Sequence, residues 1–278
     1  MPIISPSIDA LLRTYITTYT SNSFGNQTLY DMCTRGNITI PTELADQIWL
    51  IGRSYSASPE RRFRNPSAAI TRGRGTGDYF QHIANYIISR PAFAIILSKM
   101  KSLAPLKFDC SPSDFSYLCI SVQCVEEFNE LVKEASKDYD AKYNPSIISP
   151  PTIYVNQISF CSKFLHFQMP ENFFITDQFT EKGAKQLFST KCKKECNLDK
   201  EKINSMVRKG FSDEMDNTFK NIPPCSITSA DVFDYKIHVM RSYALGVVLK
   251  KIECCYSITK TPLVTYPRLT DVIFQKVI

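Results

Sequence analysis

The sequence predicts an all-α fold, a mostly helical protein with few and short strands. Apolar residues recur at helical spacing along most of the 278 residues, and only nine glycines are present. Strand signals are limited to Asn37–Pro41 and Pro262–Tyr266. The 44% hydrophobic and 22% charged residues are typical of a chain that folds around an apolar core, so a disordered protein is excluded.

Seven helical segments follow one another along the chain. They are Ser7–Thr20, Thr42–Tyr55, Asp78–Leu97, Ser111–Lys137, Ser159–Phe167, Asn197–Val207 and Ser229–Ile252. The clearest apolar stripe, in the fourth segment, consists of Phe115, Leu118, Val122, Val125, Phe128 and Leu131. We expect Ser113 or Asp114 to cap that helix, and Pro91 to end or kink the preceding one near Ser89. Trp49 is assigned to the core.

The best candidate for a boundary between two lobes is Lys142–Pro151, a proline-bearing segment without a helical pattern. This break predicts an N-terminal helical lobe, residues 1–145, and a C-terminal helical lobe, residues 146–278. The length of the chain also allows a single compact unit.

Bulk properties narrow the classes of function. No apolar run approaches the roughly 18 residues of a membrane span, and Met1–Pro6 lacks the pattern of a secretory leader. The ten cysteines are scattered along the chain, which favours free thiols in a reducing compartment. We therefore expect a cytoplasmic protein without membrane association. Its net charge of +6 permits a nucleic-acid partner.

Metal and cofactor chemistry has little support in the sequence. Cys192 and Cys196 form a pair, but a second pair at zinc-binding spacing is missing. The three histidines, His82, His166 and His238, have no serine or cysteine nucleophile motif nearby, so a hydrolase triad is not indicated. We expect surface or hydrogen-bonded core histidines, no metal site and no cofactor.

Six arginines fall within Gly52–Gly77, which we call the arginine-rich segment, interleaved with aromatic residues, serines and glycines. Arginine side chains match phosphate oxygens, and aromatic rings offer stacking faces to bases. The sequence therefore predicts nucleic-acid contacts by Arg53, Tyr55, Arg61, Arg62, Arg64, Arg72 and Arg74. The alternative is a solvated basic loop with Glu60 and Asp78 as local partners.

The segment Ile158–Gln178 carries a helix, a proline-marked turn at Met169–Asn172, an apolar run and Asp177, in that order. This layout, with SKFLHF followed by ITD, resembles the catalytic segment of helix-hairpin-helix DNA glycosylases, and it is most similar to their 8-oxoguanine branch. The resemblance implies a two-lobed helical fold that acts on DNA. It also implies that Asp177 activates the nucleophile and stabilises an oxocarbenium-like transition state.

The chain departs from that family's pattern at two points. Ser159 stands where the family has its catalytic lysine, and Tyr154–Ile158 lacks the glycines of the hairpin. Lys163 lies one helical turn after Ser159 and is the candidate auxiliary residue. The competing interpretation makes Asp177 the N-cap of a helix that begins near Thr180 or Glu181. It assigns the surrounding apolar residues to the core, namely Phe160, Leu165, Phe167, Phe173, Phe174 and Ile175.

Three functions remain open at this point. The first is an N-glycosidase that releases a base from DNA after the base leaves its stack. The second is a nucleic-acid-binding or regulatory protein without catalysis, which the absent lysine favours. The third is a toxin or effector of a bacterial defence or toxin–antitoxin system, acting with a protein partner.

Overall fold

The computed structural model describes residues 24–55, 57, 59–60, 77–109, 111–143, 154–187, 230–253 and 265–277. Within these ranges the protein consists of α-helices and connecting turns, without a strand, which confirms the predicted all-α class. The helices are α1 (Phe24–Arg35), α2 (Pro41–Ser54), α3 (Gly77–Ile88), α4 (Pro91–Lys101), α5 (Pro112–Tyr143), α6 (Ile158–Gln168), α7 (Gln178–Leu187), α8 (Ala230–Glu253) and α9 (Tyr266–Val277). None of these helices has the length and apolar composition needed to cross a lipid bilayer.

The predicted helices are confirmed wherever their residues are described; Ser7–Thr20 and Asn197–Val207 lie outside the described ranges. The break expected at Pro91 separates α3 from α4. Arg90 has extended backbone angles (φ −94°, ψ 130°) because the proline that follows disfavours the helical conformation. The long helix α5 continues to Tyr143, beyond the predicted end.

The strand predicted at Asn37–Pro41 is wrong, because these residues form a turn that leads into α2. Asn37 Oδ1 accepts hydrogen bonds from the N–H and the hydroxyl of Thr39, at 3.0 and 2.6 Å. The Ile40 N–H donates to the Asn37 carbonyl oxygen at 2.9 Å. An asparagine side chain that closes a turn in this way competes with extended pairing.

Two further predictions, the strand ending at Tyr266 and the cap of α5, are corrected at the starts of helices. Tyr266 begins α9, so it does not belong to a strand, and residues 262–264 lie outside the described ranges. Ser111 caps α5 instead of Ser113 or Asp114, since the helix already begins at Pro112. The Ser111 Oγ accepts a hydrogen bond from the Asp114 N–H at 3.4 Å.

The chain folds into two compact units, each made of separate stretches of sequence. The first unit takes its described residues from 24–28, 104–122 and 169–277, and the second from 29–103 and 123–168. The units are therefore interleaved along the chain. The boundary predicted between residues 145 and 146 falls within 144–153, outside the described residues.

In the first unit, α7 and α8 both pack against α9. Phe108 lies at the centre of an aromatic cluster. Its ring centroid is 4.8, 5.3 and 6.3 Å from those of Tyr266, Tyr243 and Phe174. Phe108 has a left-handed backbone conformation (φ 55°), and its ring lies directly against Gly246 of α8. Since this conformation is uncommon for a bulky residue, the packing around the ring must hold it.

The same unit contains a buried carboxylate, that of Asp114. Its Oδ1 accepts a hydrogen bond from the Lys107 N–H at 2.8 Å. Its Oδ2 accepts from the Asp109 N–H at 3.3 Å and from the Tyr243 hydroxyl at 2.7 Å. The carboxylate therefore joins the first turn of α5 to the preceding loop and to α8, and its buried oxygens are satisfied.

In the second unit, α2 packs against α3 and α6, and α3 contacts α4. Nine of the 11 residues of α6 are buried. The residues assigned to the core around Asp177 are confirmed as buried in both units, namely Phe160, Leu165, Phe167, Phe173, Phe174 and Ile175.

Candidate nucleic-acid interface

The arginine-rich segment leaves the chain's helical framework at the end of α2 and rejoins it at α3. Arg53 Nη2 lies 3.0 Å from Glu60 Oε2, so Glu60 is a local partner, as the loop interpretation expected. The Tyr79 hydroxyl of α3 donates to the Pro59 carbonyl oxygen at 3.1 Å. Because α2 also packs on α3, the two described ends of the segment are held together. The predicted contact residues Arg61, Arg62, Arg64, Arg72 and Arg74 lie outside the described residues.

Trp49 lies on the exposed face of α2, with 46% of its surface accessible, so its assignment to the core is wrong. Ile48 and Ile51 are fully buried on the opposite side and complete the apolar face without it. Arg53 is exposed one helical turn after Trp49, on the same face. The structure thus places the chain's single tryptophan beside the first residue of the predicted interface.

Tyr55, the aromatic residue predicted in this interface, is half-buried. Its ring centroid lies 5.4 Å from that of Phe167, and Lys163 Nζ lies 5.7 Å from it. The ring therefore takes part in the packing of α6 within the second unit. Stacking of a base on Tyr55 stays a prediction.

Asp177 occupies the N-cap position of α7, which confirms the predicted cap, although the helix begins at Gln178 and not near Thr180. Its Oδ1 accepts hydrogen bonds from the Thr180 N–H at 2.9 Å and from the Phe179 N–H at 3.0 Å. The Asp177 N–H in turn donates to Thr180 Oγ1 at 2.9 Å. These bonds satisfy N–H groups that a helix start otherwise leaves without partners. The catalytic role of Asp177 stays a prediction.

Lys163 is 3% exposed, and its Nζ donates to Ser159 Oγ at 3.1 Å. This contact confirms that Lys163 shares a helix face with Ser159, the position of the family's lysine. Lys163 belongs to the second unit and Asp177 to the first. Their joint action in catalysis stays a prediction.

The thiols of three described cysteines are poor nucleophiles. Burial raises the pKa of Cys33 to about 12. Burial, together with the nearby Glu127 carboxylate, raises the pKa of Cys124 to about 12 as well. The pKa of Cys161 is raised well above its ordinary value, also by burial. Because only the thiolate is reactive, these side chains are inert at neutral pH in the folded protein.

Two of the histidines are confirmed as hydrogen-bonded core residues. His166 Nε2 lies 2.7 Å from the Tyr30 hydroxyl oxygen, and His238 Nε2 lies 2.9 Å from the Ile175 carbonyl oxygen. Both rings are buried. The His166 hydrogen bond lies within the second unit and the His238 hydrogen bond within the first.

No family model, curated protein or solved structure matches the chain. The class that the structure defines is an all-α protein of two interleaved units. The resemblance of Ile158–Gln178 to helix-hairpin-helix glycosylases stays a prediction.

Two substitutions separate capping by Asp177 from catalysis. Asparagine caps a helix about as well as aspartate, whereas alanine costs about 1 kcal/mol. If Asp177 also activates a nucleophile, Asp177→Asn should abolish the release of free bases from DNA and leave the free energy of unfolding unchanged. Mass spectrometry of released bases and urea unfolding measure the two effects. Base release that persists in Asp177→Asn would exclude this residue from catalysis.

Proposed function

We propose that this protein binds single-stranded nucleic acid, DNA in the first place, through Trp49, Arg53 and the rest of the arginine-rich segment. The observation that carries the proposal is the exposed Trp49 ring, one helical turn from Arg53, where that segment leaves α2. Proteins that bind single strands without sequence preference combine such a stacking face with a positively charged groove that follows the nucleic-acid backbone.

The charge of the chain is concentrated in this region. Gly52–Gly77 contains six arginines and one glutamate, a net charge of +5, whereas the whole chain carries +6. The remainder of the protein is therefore close to neutral. A local cationic field of this kind attracts phosphate groups and speeds their association.

The solvated-loop alternative accounts for only part of this charge. Glu60 is the single acidic residue within Gly52–Gly77 and is paired with Arg53. Glu60 and Asp78, the two partners that this alternative names, can together neutralise at most two of the six arginines. The Arg53 side chain is 43% exposed, so a phosphate oxygen can reach it beside Glu60.

The exposed tryptophan favours a single strand over a duplex. Stacking on an aromatic side chain contributes about 1–3 kcal/mol per base, but a base inside a duplex already stacks on its neighbours. Trp49 can therefore add affinity only where bases are unpaired. Cleavage of an N-glycosidic bond by Asp177 and an effector role with a protein partner remain separate proposals.

Titration with a short single-stranded DNA tests this function, with the emission of Trp49 as the signal, because the chain has no other tryptophan. We expect the Trp49 emission to be quenched on binding. If six arginines contact phosphates, the slope of log K against log salt should be about −4. Replacing Arg61 and Arg62 with alanine should make that slope shallower by about 1.4. Trp49→Ala, followed by fluorescence anisotropy of a labelled strand, should lower the affinity about tenfold.

A matched control removes the same number of charges elsewhere. The double substitution Lys101→Ala and Lys182→Ala changes two exposed lysines outside the interface and should leave the slope unchanged. Binding that is insensitive to salt and to Arg61 and Arg62 would refute the proposal. Salt-dependent binding without a change in Trp49 emission would remove the tryptophan from the interface.

A further inference from the structure

An open groove of about 670 Å³ lies between α3 and the last turns of α5, within the second unit. We call it the α3–α5 groove and define it by His82, Tyr86, Asp138, Tyr139, Lys142 and Tyr143. Its volume falls within the range of about 300–1,000 Å³ found for ligand pockets, and the groove is open to solvent along one side. Nothing in the proposed function uses these residues.

His82 and Asp138 form the polar centre of the groove. His82 Nε2 lies 2.9 Å from Asp138 Oδ2, so the carboxylate fixes the orientation of the imidazole. The rings of Tyr139 and Tyr143 meet the imidazole edge-on, with centroids 5.3 and 5.7 Å away. An imidazole held on three sides in this way is a preorganised hydrogen-bonding group.

Tyrosine rings form the rest of the wall. Tyr139 and Tyr143 lie 4.9 Å apart, centroid to centroid. Tyr143 is 53% exposed, an unusual position for a large aromatic residue that packs on a neighbouring ring. The groove therefore offers a flat aromatic face to a ligand.

One cation already lies on this aromatic wall, the Lys142 ammonium, whose Nζ is 5.1 Å from the Tyr143 ring centroid. The Asp138 carboxylate is engaged by His82, so the Lys142 ammonium is the charged group that the groove offers to a ligand. A second cation, such as a quaternary ammonium ligand, would meet repulsion from this ammonium. An anionic ligand with a flat ring is complementary to this arrangement.

We infer that the α3–α5 groove binds a mononucleotide. The base displaces the Lys142 ammonium from the Tyr143 ring and stacks there, and the displaced ammonium holds the phosphate. Gln81 and Asn85 also line the groove, and Gln81 Nε2 donates to Asn85 Oδ1 at 3.4 Å; the other amide donors and acceptors of this pair face the base edge in the proposed complex. The ligand is a free nucleotide, so this site is additional to the single-strand interface.

Isothermal titration of the full chain with AMP, CMP, GMP and UMP tests the inference. We expect at least one of them to bind, and Tyr143→Ala to lower its affinity about tenfold or more, whereas Tyr143→Phe keeps the ring and the affinity. Lys142→Ala should reduce the affinity of the nucleotide to that of its nucleoside. Phe179→Ala is the matched control, because Phe179 is an equally exposed aromatic residue (55%) outside the groove.

Several results would overturn the inference. They are the absence of binding by all four nucleotides, equal binding by Tyr143→Ala, and binding of tetramethylammonium in place of the nucleotides. Inorganic phosphate binding as tightly as the nucleotides would likewise refute a base site. The variant with Arg61 and Arg62 replaced by alanine should bind the mononucleotide normally, so failure here and failure of the single-strand interface are distinguishable.

Discussion

Replacing Asp114 with alanine is expected to lower the free energy of unfolding by about 4 kcal/mol. The carboxylate is fully buried and accepts hydrogen bonds from the Lys107 and Asp109 N–H groups and the Tyr243 hydroxyl. Alanine would leave all three donors without this acceptor, and the Tyr243 hydroxyl belongs to a fully buried side chain. Urea unfolding followed by circular dichroism measures the loss.

Asp109 provides the control for this substitution, because it lies in the same loop and is exposed. Hydrogen bonds from Ser111 hold the pKa of the Asp109 carboxyl below its ordinary value. Water can replace these bonds, so Asp109→Ala should cost only about 0.5 kcal/mol. Asp114→Asn keeps one acceptor oxygen and should fall between the two. Equal losses for Asp109→Ala and Asp114→Ala would contradict the role given to burial.

Replacing Gly246 with alanine should destabilise the protein by about 2 kcal/mol, although alanine is the better helix former by about 1 kcal/mol. A methyl group at Gly246 would overlap the Phe108 ring, with Cδ1 only 2.5 Å away. That ring is enclosed by Tyr243 and Tyr266, and the left-handed backbone of Phe108 limits its movement. Thermal and urea unfolding both report the change.

A double-mutant cycle isolates the clash from other effects. Phe108→Leu alone should be destabilising, since it removes ring contacts in the first unit. The double variant, with Phe108→Leu and Gly246→Ala, should lose less stability than the sum of the losses of the two single variants. The reason is that the leucine side chain leaves room for the methyl group. Additive effects, or a Gly246→Ala protein more stable than the parent, would disprove the close packing at this position.

Helix positions were predictable because they depend on local chemistry. Pro91 separates α3 from α4 through its own ring and its effect on Arg90, and apolar periodicity alone located α5. The error at Asn37–Pro41 also has a local cause. The Asn37 side chain closes a turn there by hydrogen bonds, and the pattern of apolar residues does not reveal such a turn. Trp49 was misplaced because periodicity gives the direction of the buried face of α2 but not its width.

The α3–α5 groove was not predictable in the same way. His82 and Asp138 are separated by 56 positions, so their contact depends on how two helices pack. A signal was present in the pairs Asp138–Lys142 and Tyr139–Tyr143, each spaced by one helical turn at the end of α5. Asp177 shows the opposite case, since its hydrogen bonds to the following turn are local and an N-cap was predictable.

The buried thiols of the second unit allow local opening of its helices to be measured by cysteine alkylation. Cys33 lies on α1, Cys124 on α5 and Cys161 on α6. With pKa values of Cys33 and Cys124 near 12, an alkylating reagent at neutral pH encounters no thiolate in the closed state. Modification then occurs only while a helix is transiently open, so the labelling rate at each cysteine gives the opening equilibrium of its own helix.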